Sequence, residues 1–213
     1  WNATNGRALH ALRQPRGVVR RLALSSCGRR LVTSDVMRVF VWDTRLGRFE
    51  RELPLRGAHV LGIAISSSGS TVAASMDEGV ILWNAFTGRL LKVMRIHGSV
   101  IDFALLPGGE RLLLTFTMAE ATVWRIRTRS PMYRLQDARG RFPQRLAFSS
   151  DGGVIAACGG DMSRSGSGRE KSSWSRIWAA STGELLRSGA ADGTYPCSLA
   201  VSAKTTMGGL LRL

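Results

Sequence analysis

The chain has 213 residues, 44% of them apolar, with a mean hydropathy of −0.00, which fits a folded protein able to bury a sizeable core. Its longest uncharged run, 57–76, is interrupted by serines and glycines and decodes as strand, turn, strand, so it excludes a membrane-spanning helix. Thirty Lys and Arg against 15 Asp and Glu leave a net charge of +15, a balance that draws a protein to polyanions: RNA, acidic protein surfaces or anionic membrane.

In chain order, residues 1–15 hold the tail of one repeat, in which Trp1 ends a third strand and 7–12 reads as an outer fourth. Residues 16–55 carry a full repeat, with strands at Val19-Arg20-Arg21-Leu22, Leu31-Val32-Thr33, Val39-Phe40-Val41-Trp42 and 48–53. The last alternates charge, the kind of strand that blunts an exposed edge. The pairs Arg20, Arg21 and Arg29, Arg30 suit a grip on phosphate. Residues 56–95 hold the best-formed repeat: Ile63-Ala64-Ile65, a Ser66-Ser67-Ser68-Gly69 turn, Thr71-Val72-Ala73-Ala74-Ser75, Asp77, Val80-Ile81-Leu82-Trp83, a Thr87-Gly88 turn and a last run at 90–93.

Residues 96–137 hold a third repeat. Behind Trp124, Arg125, Arg127 and Arg129 recur at period two, so in a strand they share one face, and Arg139, Arg141 and Arg145 extend the same sector. Tyr133 and Phe142 lie among these arginines, where they suit base stacking or a place in the core. Residues 138–188 hold a fourth repeat, lengthened by an insertion at about 162–174 between its second and third strands. Ser/Gly-rich and carrying Arg164, Arg169 and Lys171, the insertion reads as a loop that orders against a partner. Trp174 reads as a late core anchor or a contact residue. Residues 189–213 open a partial repeat at Leu199-Ala200-Val201 whose third strand does not arrive, so the chain is expected to be part of a longer one.

Tryptophan sets the period. Trp1, Trp42, Trp83 and Trp124 stand 41 residues apart, and Trp178 follows after 54. Apolar-Ala-apolar triplets keep step at Leu22-Ala23-Leu24, Ile63-Ala64-Ile65, Phe103-Ala104-Leu105 and Leu146-Ala147-Phe148. A glycine follows five residues after the tryptophan at Gly6, Gly47, Gly88 and Gly183, with Arg129 as the exception. A period of this length lies in the range of propeller blades. On Trp42-Asp43, Trp83-Asn84, the Thr87-Gly88 and Thr182-Gly183 turns and Ser149-Ser150-Asp151-Gly152, the chain resembles the WD-repeat family over essentially its whole length. The resemblance implies an all-β fold, a β-propeller of four-stranded antiparallel blades with about five repeats visible, the tryptophans ending third strands and the triplets on inner strands. It also implies a structural hydrogen-bonding set at Ser75, Asp77 and Trp83 in the second full repeat. Arg56 stands where the family has histidine, Asp35 is one residue out of step with Trp42, and Met118 holds the third repeat's aspartate place.

No catalytic constellation is present: there is no phosphate-binding G-x-x-x-x-G-K motif, and His10, His59 and His97 lie away from cysteines at zinc spacing. Neither cofactor nor metal is expected. Cys27, Cys158 and Cys197 are sparse, odd in number and without C-x-x-C spacing, which points to an intracellular, reducing compartment. The charge is uneven. Residues 1–56 carry 12 Lys/Arg against 4 Asp/Glu, residues 57–123 carry 4 against 5, and residues 124–213 carry 14 against 6. Basic terminal sectors around a neutral middle point to a non-catalytic scaffold docked among other subunits of a large assembly containing RNA, such as a ribosome or an RNA-processing particle. The alternative partner is an acidic protein surface, such as tubulin beneath a flagellar microtubule-associated propeller.

Overall fold

A computed structural model describes residues 2, 4–55, 57, 59–77, 79–96, 100–105, 111–116, 121–135, 143–149, 151–161 and 172–192. The described residues form sixteen strands and no helix. The strands make four sheets of four, each in sequence order. The first holds β1 (Arg21–Leu24), β2 (Arg30–Ser34), β3 (Val39–Asp43) and β4 (Arg48–Leu53). The second holds β5 (Gly62–Ile65), β6 (Thr71–Met76), β7 (Gly79–Asn84) and β8 (Leu90–Arg95). The third holds β9 (Val100–Leu105), β10 (Arg111–Phe116), β11 (Ala121–Arg125) and β12 (Ser130–Arg134), and the fourth β13 (Pro143–Phe148), β14 (Val154–Asp161), β15 (Ser172–Ala179) and β16 (Leu185–Asp192). Each is the meander expected of a propeller blade. The chain divides into two compact units, Trp1–Glu110 and Arg111–Leu213.

The turn chemistry repeats with the sheets. Where the first strand meets the second, the buried hydroxyl of Ser25, Ser66 or Ser149 accepts the backbone N–H of Arg30, Thr71 or Val154 at 3.0, 3.0 and 2.9 Å. The same serine's carbonyl accepts from Gly28, Gly69 or Gly152 at 2.8, 2.8 and 2.9 Å. These serines are therefore fold chemistry, a side chain closing a turn that backbone alone leaves open.

Each tryptophan sits next to last in a third strand: Trp42 in β3, Trp83 in β7, Trp124 in β11 and Trp178 in β15. Beside each, the ladder to the fourth strand slips by one residue, between Val41/Trp42, Leu82/Trp83, Val123/Trp124 and Ile177/Trp178. The extra residue is Glu50, Leu91, Met132 or Leu186, a bulge that bends the outer strand around the indole. The triplets of the first four repeats lie on the first strands, β1, β5, β9 and β13. Trp1, Phe142 and Leu199-Ala200-Val201 fall outside the described residues.

In the first unit, Val32, Val39, Val41 and Leu53 of the first sheet pack with Val60, Val72, Ala74, Trp83 and Ala85 of the second repeat into one buried cluster. In the second unit, Ala156, Ala157, Cys158 and Trp178 are buried in the fourth sheet, and the Tyr133 hydroxyl donates to the Ala180 carbonyl. Tyr133 is thus a packing residue.

Three expectations change. Residues 7–12 form no strand, because a strand needs a ladder neighbour and none is found for them among the described residues. They follow a turn, Asn2 to Gly6, of the kind that follows the other tryptophans. The fourth sheet runs to Asp192, four residues beyond the expected limit of 188. The insertion does lie between second and third strands, but residues 172–174 belong to β15 and Trp174 is buried there, 4% exposed.

Candidate basic surfaces and the repeat signature

In an antiparallel meander the first-to-second and third-to-fourth turns emerge at the same end of the sheet. The backbone shows this join: Thr44 N–H donates to the Arg29 carbonyl at 3.2 Å, Ala85 to Ser70 at 2.8 Å and Ala180 to Gly153 at 2.9 Å. In the first unit the convergence brings Arg29, Arg30, Asp43, Arg45, Ser68 and Phe86 around an open cleft of about 420 Å³. Arg29 and Arg45 are exposed.

Arg30 is not free to hold phosphate. Its guanidinium meets Glu50 at 3.1 and 3.3 Å, reaches the Gly69 carbonyl at 3.5 Å and lies 3.8 Å over the Phe86 ring. Those contacts make it a tie between the two sheets. Arg21 donates from Nε to the Leu61 carbonyl at 3.2 Å, and both Arg20 and Arg21 are exposed.

In the second unit Arg125 ends β11, but Arg127 and Arg129 stand on the turn that follows, so the three do not share a strand face. All three are exposed. The reason is the repeat itself: four or five residues of turn separate the tryptophan strand from its outer neighbour, and Arg129 occupies the place of the turn glycine. Its φ is 58°, against 62°, 72° and 77° at Gly47, Gly88 and Gly183. A side chain in this left-handed region costs about 1–2 kcal/mol. Arg129→Gly is therefore expected to raise stability by about 0.5–1 kcal/mol after the entropy glycine adds to the unfolded chain. Urea denaturation of the two proteins measures it. Arg145 lies exposed on β13. Arg139, Arg141, Arg164, Arg169 and Lys171 lie outside the described residues.

The implied Ser75–Asp77–Trp83 set does not form its central bond. Trp83 pairs with Val72, so Ser75, three residues further along β6, points to the opposite face. Both Ser75 Oγ and Trp83 Nε1 are buried without a hydrogen-bond partner among the described residues. Asp77 lies at the β6–β7 turn and is exposed. The first repeat has the working version. Trp42 pairs with Leu31, which puts Thr33 on the indole's own face, and Trp42 Nε1 donates to Thr33 Oγ1 at 2.9 Å. Thr33 in turn donates to Gln14 Oε1 at 2.8 Å.

Two carboxylates cap turns. Asp43 is held below its ordinary value, chiefly by the Leu46 backbone N–H, and Asp151 by the Ser149 hydroxyl and then the Gly153 N–H. Because the folded values lie below the unfolded one of about 3.9, their contribution is complete above that pH and is lost as pH falls through the folded values. Melting temperature is expected to stay level from pH 7 to about 5 and to drop below about pH 4, less steeply in Asp151→Asn. Cys27 is exposed and Cys158 is buried, and neither is in a disulfide. Among the described residues no group of three metal-ligating side chains comes together, and no helix is long and apolar enough to cross a membrane.

Sequence reading missed Asp43, Arg45, Ser68 and Phe86 as cleft residues. The signal was available in the equal spacing of the two turn families, which meet once the strands alternate in direction.

A family profile described as WD domain, G-beta repeat matches residues 50–84, from the outer strand of the first sheet through β7. Apoptotic protease-activating factor 1 of Rattus norvegicus is 26% identical over 172 residues, covering 79% of this chain and 13% of that protein. The U3 small nucleolar RNA-associated protein 18 homolog of Arabidopsis thaliana is 24% identical over 144 residues, 65% of this chain and 26% of that one. The chain thus spans about a quarter or less of the length of these relatives. Among solved structures, Kuenenia stuttgartiensis hydrazine synthase shares the fold at a TM-score of 0.64 and 13% identity, over 85% of this chain and 53% of that one. With its period of 41 residues, its four-stranded antiparallel blades and a profile match over residues 50–84, the chain carries a WD repeat on an all-β fold of propeller-like blades.

Proposed function

We propose that this chain is a non-catalytic docking scaffold whose basic turn ends seat on RNA within a large assembly. The observation that carries the reading is the gathering of exposed arginines at turns and the strand end beside them: Arg29 and Arg45 in the first unit, and Arg125 at the end of β11 with Arg127 and Arg129 on the turn that follows in the second. Exposed guanidinium groups on short turns reach phosphates without the cost of burying charge. The net charge of +15 supports it, because a polyanion relieves the self-repulsion of so basic a chain. The name of the Arabidopsis relative, a U3 small nucleolar RNA-associated protein homolog, agrees with an RNA-processing particle. Sparse cysteines without C-x-x-C spacing suit an intracellular, reducing compartment.

A second reading, a scaffold on an acidic protein surface such as tubulin, is favoured by the outer strand β8, where Leu90, Leu91 and Val93 are 49%, 50% and 39% exposed. An apolar edge of this kind suits a protein neighbour. Parallel titrations with single-stranded RNA and with polymerised tubulin separate the two. RNA is expected to bind the tighter; tight tubulin binding without RNA binding overturns the first reading in favour of the second.

A further inference from the structure

We propose that the cleft at the turn end of the first two sheets is a single-nucleotide pocket for single-stranded RNA, one that prefers a base carrying an amino group. This rests on the RNA reading above and names a site for it. The cleft's volume of about 420 Å³ suits one nucleotide. The Phe86 ring is 51% exposed although its other contact is held firmly: the Arg30 guanidinium lies against it at 3.8 Å, fixed in turn by Glu50. A half-exposed ring held by a fixed guanidinium offers a stacking surface for a base. Arg29 and Arg45, both exposed, line the same cleft and supply guanidinium groups for the adjoining phosphates.

Asp43 decides between polyanions. Asp43 lines the same cleft, and its carboxyl is held below its ordinary value by the Leu46 N–H at 2.9 Å, which favours the ionised form. A carboxylate repels phosphates and acidic side chains alike, but the amino group of a base can donate a hydrogen bond to it, which no ionised acidic side chain can do. Ser68 adds a hydroxyl that serves as donor or acceptor. Cytosine offers an amino group where uracil offers only a carbonyl, so the cleft discriminates between two bases of nearly equal stacking area.

The probes are 12-residue oligomers of cytidine and of uridine, with binding followed by fluorescence anisotropy against salt. The protein is expected to prefer the cytidine oligomer. Phe86→Ala should weaken binding of both by about ten-fold. Arg29→Ala with Arg45→Ala should reduce the slope of log K against log salt by about 1.4. Asp43→Asn should bring the two affinities together while keeping the turn, since Asn84 already caps the equivalent turn by accepting from Phe86 and Thr87 at 2.9 and 3.0 Å. Binding unchanged in Phe86→Ala and in the double arginine variant overturns the pocket. If the same RNA binding then falls on changing Arg125, Arg127 and Arg129, the docking function stands and only the pocket is lost. If the unaltered protein binds neither oligomer, or binds only tubulin, both are overturned.

Discussion

Trp83→Ala is expected to destabilise the protein by about 3–5 kcal/mol, the range for truncating a buried aromatic side chain. The indole is 0% exposed and joins a cluster drawn from two sheets, with Val32, Val39, Val41 and Leu53 on one and Val72, Ala74 and Ala85 on the other. Its removal opens a cavity where two β-sheets meet, and neither backbone is free to close it because each is fixed by its own ladder. Since Nε1 has no partner among the described residues, the whole loss is one of packing. Trp83→Phe is accordingly expected to recover more than half of the loss, in urea denaturation followed by circular dichroism.

Thr33→Val is expected to cost about 1–3 kcal/mol, although it preserves the shape of the side chain. It leaves both Trp42 Nε1 and Gln14 Oε1 without the hydroxyl that now joins them at 2.9 and 2.8 Å. The segment carrying Gln14 comes from outside the sheet, so the loss loosens that segment as well as the blade. Ser75→Ala is the contrasting change. The Ser75 hydroxyl is buried and without a partner among the described residues, so its removal is expected to be neutral or to stabilise by up to about 1 kcal/mol. Thermal melts of Thr33→Val, Thr33→Ser and Ser75→Ala, taken together, distinguish a working hydroxyl from an idle one. Thr33→Ser should stay close to the unaltered protein.

The contrast between Thr33 and Ser75 marks where sequence reading ends. Spacing from the tryptophan favours Ser75, eight residues before Trp83, over Thr33, nine residues before Trp42. What decides is strand register, and the two hairpins differ: Met76 pairs with Gly79 across a tight turn, whereas Ser34 pairs with Val39 across a longer loop. An odd or even offset along the paired strand then sends the hydroxyl to one face or the other. The blades themselves were legible because tryptophan, triplet and turn glycine hold one period, and two of these markers have a backbone reason: the bulge at Trp42, Trp83, Trp124 and Trp178, and the left-handed φ at Gly47, Gly88 and Gly183. The arginine stripe at 125, 127 and 129 misled for the same reason. Period two was read as strand, but the repeat places a turn there, and Arg129 takes the glycine's conformation at a cost. The cleft escaped notice because its residues lie up to 57 positions apart, from Arg29 to Phe86, and only sheet topology joins them.

Docking on RNA through basic turns has one direct measurement. The slope of log K against log salt is determined for a single-stranded RNA of mixed sequence, first for the unaltered chain and then for Arg125→Gln, Arg127→Gln and Arg129→Gln combined. Each lost phosphate contact reduces the slope by about 0.7, so the triple variant is expected to lose about 2 with its circular dichroism spectrum unchanged. An unaltered slope at unaltered affinity contradicts the account.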